Sequence, residues 1–357
     1  MFLLIKKIIA STSIAVLLSG CATIGPNTIS PDRQQYVSEI GESAKEQVLL
    51  NIVKMRYFDT PTFLDVSSII NQYGLEQSVG LSGAVNYPRV PADWWNIGGS
   101  GSVTYSDKPT ITYTPMTGKK FTQNLLTPIP PDAVVGLIQN GWPADLVLKI
   151  TLNSINGVNN YNAFLGYSKD NENFERLTEF LRDLQSAGVS DIRAESIAQR
   201  GSEVSIIFDP SRADEKALSS IGALLDILKV KPGLPKYRFV YGRLPGADGE
   251  IALSTRSMMA IMLQYGAGIE VPENHIREGR ARPIISAGNA QGKELVRIHS
   301  GPGKPSDAFA SIVYRGTRFW IDDRDLESKK NFTLLMIFLA LTEVEQKAAG
   351  PLVTVGA

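Results

Sequence analysis

Cysteine and histidine are scarce in this chain, which has one cysteine and two histidines among 357 residues. A single cysteine forms no disulfide within the chain, so the folded core has to hold together without one. Neither His275 nor His299 lies at metal-ligand spacing from Cys, Asp or Glu, and Glu273 near His275 makes one ligand pair at most. The sequence therefore predicts no metal site and no cofactor.

An excess of either charge is also lacking, because 36 Lys and Arg residues balance 36 Asp and Glu residues. The two signs are interspersed along the chain, whereas nucleic-acid binders usually carry a basic patch or stripe. The composition therefore argues against a nucleic-acid partner, and it argues against electrostatic recruitment to anionic lipid.

The chain lacks an apolar run long enough to cross a bilayer as a helix, which takes about 20 residues. Residues 8–18 form a run of eleven, and residues 332–341 form a run of ten that includes Thr333. The second run predicts a buried helix. The first follows Lys6 and Lys7 at the N-terminus, which is the pattern of a cleaved export signal.

The N-terminal apolar run ends in the tetrad Leu18-Ser19-Gly20-Cys21. This tetrad resembles the lipobox of bacterial lipoproteins with a type II signal peptide, in which the cysteine becomes the acylated first residue. The resemblance implies cleavage between Gly20 and Cys21, and it implies a membrane anchor formed by acyl chains on Cys21. An ordinary secretory signal, in which Cys21 is incidental, is the alternative.

Ala22 follows the cysteine directly. In Gram-negative lipoproteins an Asp at this position commonly retains the protein at the inner membrane, so Ala22 resembles the class sorted to the outer membrane. For a Gram-negative source, the expected location is therefore the outer membrane, with the protein lipid-anchored and facing the periplasm. Loss of the first 20 residues would leave 337, of which 34 are basic and 36 acidic, a formal charge of −2.

Three further blocks are similar to an uncharacterised family of predicted Gram-negative outer-membrane lipoproteins. The similarity extends over most of the mature chain, and it implies neither an activity nor catalytic residues. The blocks are 49–57 (LLNIVKMRY), 105–115 (YSDKPTITYTP) and 319–325 (FWIDDRD).

Strand patterns and helix patterns follow one another in separate blocks, which predicts an α+β fold. We expect antiparallel hairpins and meanders packed with amphipathic helices in two lobes. After a signal peptide over residues 1–20 and an acylated tether over 21–35, the first lobe spans 36–165. It begins with a helix over 36–57 and continues with a β-meander and further helices. The second lobe, residues 166–357, is also α+β.

Three local patterns give more specific predictions. Residues 75–114 predict the three-stranded meander, and residues 143–158 predict a helix. Tyr314-Arg315-Gly316-Thr317 predicts a tight turn between two strands near the C-terminus.

Residues 78–105 alternate between apolar and small polar side chains with a period of two, which is typical of strands. A connection that contains Trp94 and Trp95 separates the two strands, and Gly83, Gly99 and Gly101 interrupt the apolar face. The other apolar positions of this candidate membrane or partner hairpin are Val79, Leu81, Val85, Tyr87, Ile97, Val103 and Tyr105.

Two interpretations of the hairpin are open. In the favoured one it packs on the body of a soluble domain, because each strand gives only a weak lipid-facing signal. In the other it inserts into a membrane, since strands of about 9–11 residues cross a bilayer when they are tilted. Open strand edges are not tolerated in lipid, so insertion requires several copies arranged in a ring.

Patterns that would support catalysis are incomplete. Residues 288–293 resemble a phosphate loop, but the spacing is one residue short and Glu294 stands where Ser or Thr would bind magnesium. Asp322, Asp323 and Asp325 form the densest acidic cluster. The start of a helix explains this cluster with fewer assumptions than a calcium site or a glycosidase pair does.

We therefore expect a lipid-anchored lipoprotein with a binding or structural role in a cell-envelope complex. Its expected partners are the membrane, through the anchor, and an envelope protein or further copies of itself. One alternative is a ring-forming outer-membrane channel subunit that inserts the hairpin 78–105. The other is a periplasmic hydrolase acting on glycan or peptide, although the sequence favours a non-enzymatic role.

Overall fold

The structure is a computed structural model that describes residues 29–70, 73–84, 96–162, 169–197, 201–283, 294–303, 305 and 307–342. Over these ranges it contains nine α-helices and 13 strands arranged in four sheets, so the prediction of an α+β fold is confirmed. Contacts divide the chain into two compact units. The described residues of the first fall within 29–42 and 63–116, and those of the second fall within 43–62 and 117–342.

Helix α1 (Ile29–Arg56) begins earlier than the sequence predicts, within the expected tether. Pro31 lies in its first turn, where a missing amide costs no helical hydrogen bond because the first four N–H groups have no partner in the helix. The signal peptide and residues 21–28 of the tether lie outside the described residues.

Four strands make up most of the first unit: β1 (Leu64–Ile70), β2 (Tyr73–Ala84), β3 (Asn96–Asp107) and β4 (Thr110–Pro115). β2 pairs with β3 and β1 pairs with β4, both antiparallel. The predicted meander is therefore wrong in its last pairing, because β4 does not turn back on β3. Only Lys108 and Pro109 separate these two strands, and the residue before a proline favours extended backbone, so the chain continues in the same direction.

The largest sheet of the second unit has six strands. They are β5 (Leu152–Ile155), β6 (Val158–Asn159), β7 (Ser190–Ile197), β8 (Gly201–Phe208), β9 (Tyr237–Tyr241) and β10 (Glu250–Thr255). Their order is β6-β5-β10-β9-β8-β7. Every neighbouring pair is antiparallel except β9 and β10, which are parallel.

Five helices lie in the same stretch of the chain, residues 117–228, and a single π-helical turn (Thr122–Leu126) follows the first of them. The helices are α2 (Gly118–Phe121), α3 (Pro131–Gln139), α4 (Ala144–Thr151), α5 (Lys169–Ser186) and α6 (Glu215–Leu228). α5 packs against both α4 and α6. Its fully buried side chains Phe174, Leu177 and Leu184 lie on one stripe, as its amphipathic sequence predicts.

The predicted helix over residues 143–158 is wrong in its second half, because α4 ends at Thr151 and the chain continues as β5 and β6. Asn156 and Gly157 connect these strands with φ values of +46° and +81°. An Asn-Gly pair with two positive φ angles is the preferred two-residue hairpin connection. The Asn156 side chain also accepts a hydrogen bond from the N–H of Ala252 at 2.6 Å, so this turn is fixed to the neighbouring strand.

A three-stranded sheet forms the rest of the second unit, with β13 (Thr317–Asp322) between β11 (His299–Gly301) and β12 (Ala308–Tyr314). Helices α7 (Met258–Tyr265), α8 (Glu273–Arg277) and α9 (Leu326–Thr342) belong to the same part of the chain. α9 contacts β13 and α7. The fully buried side chains here include Tyr265, Phe319, Ile321, Phe332 and Phe338.

Candidate functional site

The four strands of the first unit form a long two-stranded ribbon (residues 64–70, 73–84 and 96–115), which we call the ribbon. β2 and β3 are joined by twelve consecutive pairs, from Tyr73 with Asp107 to Ala84 with Asn96. β1 and β4 end their ladder at the pair Ile70 with Thr110. The next described pair is Tyr73 with Asp107. Tyr73 follows Ile70 by three residues and Asp107 precedes Thr110 by three, so the two ladders share one register.

Register assigns the ribbon positions to two faces, because directly opposed residues of antiparallel strands share a face and neighbours along a strand alternate. Most apolar residues fall on one face, which we call the apolar face. Its apolar positions are Leu64, Val66, Ile69, Tyr73, Leu75, Val79, Leu81, Ile97, Val103, Tyr105, Ile111, Tyr113 and Pro115. Gln77 and Asp107 are the polar exceptions, and Gly83, Gly99 and Gly101 are gaps in it.

The opposite face, which we call the polar face, is occupied mainly by Ser, Thr, Gly and Asn. Its positions include Gly74, Ser78, Gly80, Ser82, Asn96, Gly98, Ser100, Ser102, Thr104, Ser106, Thr112 and Thr114. Its charged residues are Glu76 in the β2–β3 ladder and Asp65 in the β1–β4 ladder, and its apolar exceptions are Ile70 and Ala84. The ribbon is therefore amphipathic along its described length.

A bulge interrupts the β1–β4 ladder between Val66 and Ser68. Val66 opposes Tyr113 and Ser68 opposes Thr112, so Ser67 is the additional residue. Its hydroxyl lies 2.5 Å from that of Thr114, which places it on the polar face together with Ser68.

Several large apolar side chains of β1 and β4 are exposed to solvent. The exposed fractions on the apolar face are 42% for Leu64, 38% for Val66, 41% for Ile111 and 56% for Tyr113. Contiguous exposed apolar surface marks contact sites for proteins or membranes, whereas isolated exposed residues are ordinary. This part of the ribbon therefore has the character of a contact surface.

The structure describes five of the nine predicted hairpin residues. Positions 79, 81, 97, 103 and 105 share the apolar face. Val85, Tyr87, Trp94 and Trp95 lie outside the described residues, as do Gly20 and Cys21. Sequence reasoning missed the continuation of the apolar face through Ile69, Ile111 and Tyr113, although the alternation of 110–114 carries that signal.

His275, the first histidine considered from the sequence, is buried in the second unit. Its Nδ1 lies 2.8 Å from the hydroxyl of Tyr57, and the two rings meet edge to face. Burial raises the pKa of Tyr57 to about 12, although Arg56 acts in the opposite direction. Both side chains are enclosed, so the pair has the environment of a buried structural hydrogen bond.

A second polar group lies beside Tyr57, at the turn between β12 and β13. The hydroxyl of Tyr314 donates to Oδ2 of Asp59 at 2.7 Å, and Arg315 donates to the same hydroxyl at 3.1 Å. The hydrogen bond from Tyr314, followed by that from the N–H of Thr60, lowers the pKa of Asp59. The hydrogen bond between Tyr314 and Asp59 joins residues that are 255 positions apart in the chain.

His299, the second histidine, is partly exposed and pairs with a carboxylate. Its Nδ1 lies 3.1 Å from Glu270, and its ring lies 5.6 Å from that of Trp320. Within the described ranges, no group of three or more His, Cys, Asp and Glu side chains is arranged to hold a metal ion.

The acidic cluster 322–325 lies at the start of α9, as the helix-start interpretation requires. Asp325 accepts hydrogen bonds from the N–H and the hydroxyl of Ser328 at 3.1 and 2.7 Å. Asp322 accepts from the N–H of Arg324, and Asp323 pairs with Lys329 at 2.7 Å. Each carboxylate therefore has a local structural partner.

A cavity of about 470 Å³ lies between the six-stranded sheet and helices α3, α4 and α5. Its lining is mostly apolar and includes Val135, Ile138, Leu148, Leu181, Ile206 and Phe239. The amide of Gln185, which also lines it, accepts from the N–H of Ala144 and donates to the carbonyls of Ile138 and Trp142. Gln185 therefore holds the connection between α3 and α4, and the cavity offers mainly apolar contacts.

Comparison with known proteins adds no assignment: no family model matches the chain, and neither a curated protein nor a solved structure matches it. Over the residues that the structure describes, none of the helices combines the length and the apolar composition needed to cross a membrane.

Proposed function

We propose that this chain is a lipid-anchored, periplasm-facing protein of the outer membrane that has a structural role in a cell-envelope complex. The ribbon is the element through which it joins that complex. The observation that carries the proposal is the apolar face, which continues in one register through both ladders of the ribbon and is exposed to solvent at Leu64, Val66, Ile111 and Tyr113.

The strand edges of the ribbon support a role in assembly. Each ribbon sheet has only two strands in the described part of the chain, so each strand has a single neighbour there. The outer edge of such a strand presents N–H and C=O groups that a strand from another protein can pair with. Edge pairing supplies the hydrogen bonds, and the apolar face supplies buried area.

The N-terminal motif supports the membrane anchor. Acyl chains contribute about 0.8 kcal/mol per buried methylene group, and stable anchoring takes more than one chain. A formal charge of −2 after cleavage, from 34 basic and 36 acidic residues, gives no electrostatic attraction to anionic lipid. Attachment would therefore depend on Cys21 and be insensitive to salt.

Mass spectrometry of the N-terminal peptide tests the anchor. We expect a chain that begins at Cys21 and carries acyl chains, and membrane attachment that survives washing at 1 M salt, a concentration at which the screening length falls to about 3 Å. The variant Cys21→Ala should not be acylated. An unprocessed N-terminus or an unmodified Cys21 thiol would contradict the anchor.

Shortening the ribbon in register tests its role in assembly. Gly74 and Ser106 are paired, so residues 75–105 can be replaced by Asn-Gly, a preferred hairpin connection, without changing the β1–β4 register. We expect the shortened protein to remain attached to the membrane but to form a smaller assembly, with fewer chains, after detergent extraction. As the control, Ser78→Ala with Ser102→Ala changes one pair on the polar face and keeps the length. If the shortened protein forms an assembly with the same number of chains and the same bound proteins, the proposal is contradicted.

A further inference from the structure

We infer that the partner of the ribbon is the ribbon of another copy of this chain, and that several ribbons close into a ring that inserts into the membrane. This inference rests on the proposed function, because it names the partner that the ribbon binds.

The two outer edges of the ribbon favour further copies as partners. β2 and β3 are antiparallel over twelve residue pairs. When β3 of one copy lies beside β2 of the next, the antiparallel order of strands continues through the contact. The two surfaces in such a contact are different, so the arrangement is head-to-tail and closes as a ring when the rotation between copies allows it. One partner of another kind would lie along one edge of the ribbon only.

The distribution of charge favours a hydrocarbon environment for the apolar face. Strands with exposed edges in water are commonly protected by charged side chains, particularly Lys. Residues 77–84 and 96–106 carry no charged side chain on either face. The charged residues of these two strands, Glu76 and Asp107, lie near the end of the ladder that continues into β1 and β4.

The dimensions and the alternation of the ribbon fit a membrane. Twelve residues at about 3.4 Å each extend about 40 Å, and a tilt near 45° reduces the height to about 29 Å, close to the thickness of the hydrocarbon core. Spanning strands alternate apolar residues toward lipid with polar residues toward the interior, and aromatic residues flank them. Tyr73 and Tyr105 lie near one end of β2–β3.

Closure of the ring removes the energetic obstacle to insertion. Every backbone N–H and C=O in the hydrocarbon region needs a partner, because no water is available there. Within the described ranges each strand of the ribbon has one neighbouring strand, whereas a ring of ribbons would give every strand two. The polar face, with its hydroxyl groups, would then line the interior of the ring.

Two neighbouring positions on opposite faces give a matched test. Leu81 opposes Gly99 on the apolar face, and Ser82 opposes Gly98 on the polar face. The full-length acylated protein is reconstituted into planar bilayers, and its conductance and its size in detergent are measured. We expect the original protein to form rings of several copies and to conduct ions.

The two arginine variants should then differ. Leu81→Arg places a charge against hydrocarbon, so we expect at least a tenfold loss of conducting events. Ser82→Arg adds a positive charge to the interior, so we expect rings of unchanged size with at least a twofold shift of selectivity toward anions. Thermal unfolding of both variants shows whether either substitution prevents folding. If Leu81→Arg fails to fold, Leu81→Gln replaces it in the same assay. We then expect a smaller loss of conducting events, because glutamine is polar but uncharged.

Different results overturn the inference and the proposed function. A complex with one copy of this chain and another envelope protein, lost when residues 75–105 are replaced, would overturn the ring and leave the proposed function standing. A monomer whose partners and size are unaffected by that replacement would overturn both. Rings in which Leu81→Arg and Ser82→Arg conduct like the original protein would overturn insertion of the ribbon.

Discussion

At the scale of single residues, Arg256 is an unusual buried charge in the second unit. Its guanidinium donates to the carbonyls of Lys149, Ile150 and Tyr161 at 2.6–3.1 Å, and it lies 3.3 Å from the side-chain oxygen of Asn153. Burial lowers its pKa to about 10. Two of the three carbonyls belong to the last turn of α4, whose negative end favours a cation.

Removal of Arg256 should destabilise the fold, because three carbonyls would lose their donor in a buried region. We expect Arg256→Met to lower the free energy of unfolding by about 3 kcal/mol, measured by urea denaturation. The matched control is Arg212→Met, an exposed arginine paired with Asp209, for which we expect a change within about 0.5 kcal/mol. Equal effects of the two substitutions would contradict this interpretation of Arg256.

Asp325 links the stability of the fold to pH. Burial opposes its ionisation, but the hydrogen bonds from Ser328 outweigh that effect and lower the pKa of Asp325 below 3.8. The contribution is therefore complete above the unfolded value of 3.8, and it is lost as the pH falls through the lower folded value.

We expect Asp325→Ala to lower the free energy of unfolding by about 1 kcal/mol at pH 7. The difference from the original protein should shrink as denaturation is measured at lower pH, toward pH 2. Asp325→Asn keeps an acceptor for the N–H of Ser328 and loses the charge, so its loss should be smaller and less dependent on pH. A difference that grows on acidification would contradict the direction of this pKa shift.

At the scale of secondary-structure elements, Gly268 lies where two segments of backbone meet. Its carbonyl accepts from the N–H of Ile298 at 2.9 Å, next to the parallel bridge between Ile269 and Ile298. A Cβ on Gly268 would lie 1.7 Å from the carbonyl oxygen of Val296, and the main chain there cannot move without breaking this pairing.

A methyl group at Gly268 should therefore destabilise the protein. We expect Gly268→Ala to cost about 3 kcal/mol in thermal or urea unfolding. Gly222 is the control, because it lies inside α6 and a Cβ there would meet nothing within 4 Å. Gly222→Ala should stabilise the protein by about 1 kcal/mol, since alanine loses less backbone entropy in a helix.

The elements predicted correctly from the sequence are those with a strong local signal. Alternation identifies β2 and β3, and the turn Tyr314-Arg315-Gly316-Thr317 is present with φ values of +49° and +80° at its two central residues. The helix predicted over residues 143–158 is wrong beyond Thr151, because apolar spacing alone does not reveal the turn that Asn156 and Gly157 form.

Pairings between distant segments were not predictable in the same way. No local pattern shows that β4 pairs with β1, or that Tyr57 lies against His275, 218 residues further along the chain. These contacts depend on which buried surfaces fit together, and periodicity does not contain that information. The sequence therefore predicts the β2–β3 part of the ribbon, whereas it does not predict that β1 and β4 pair and extend it.

At the scale of the whole molecule, the second unit has a buried core of its own. Helices α5 and α9 place Phe174, Phe332 and Phe338 in fully buried positions within it. We therefore expect replacement of residues 75–105 by Asn-Gly to leave the main thermal transition within about 4 °C, the shift that about 1 kcal/mol produces in a domain of this size. Circular dichroism at 222 nm measures it, and a shift of 10 °C or more would show that the ribbon contributes to that transition.

The bulge at Ser67 makes one place in the ribbon tolerant of a change in strand length. Elsewhere, loss of one residue from a strand would turn every later side chain to the opposite face. Ser67 and Ser68 already share a face, so excision of Ser67 leaves perfect alternation from Leu64 to Ile70. A chain lacking Ser67 should retain its assembly size, whereas a chain lacking Gly80 should not. The ribbon can therefore lose one residue at this point and keep the same two surfaces.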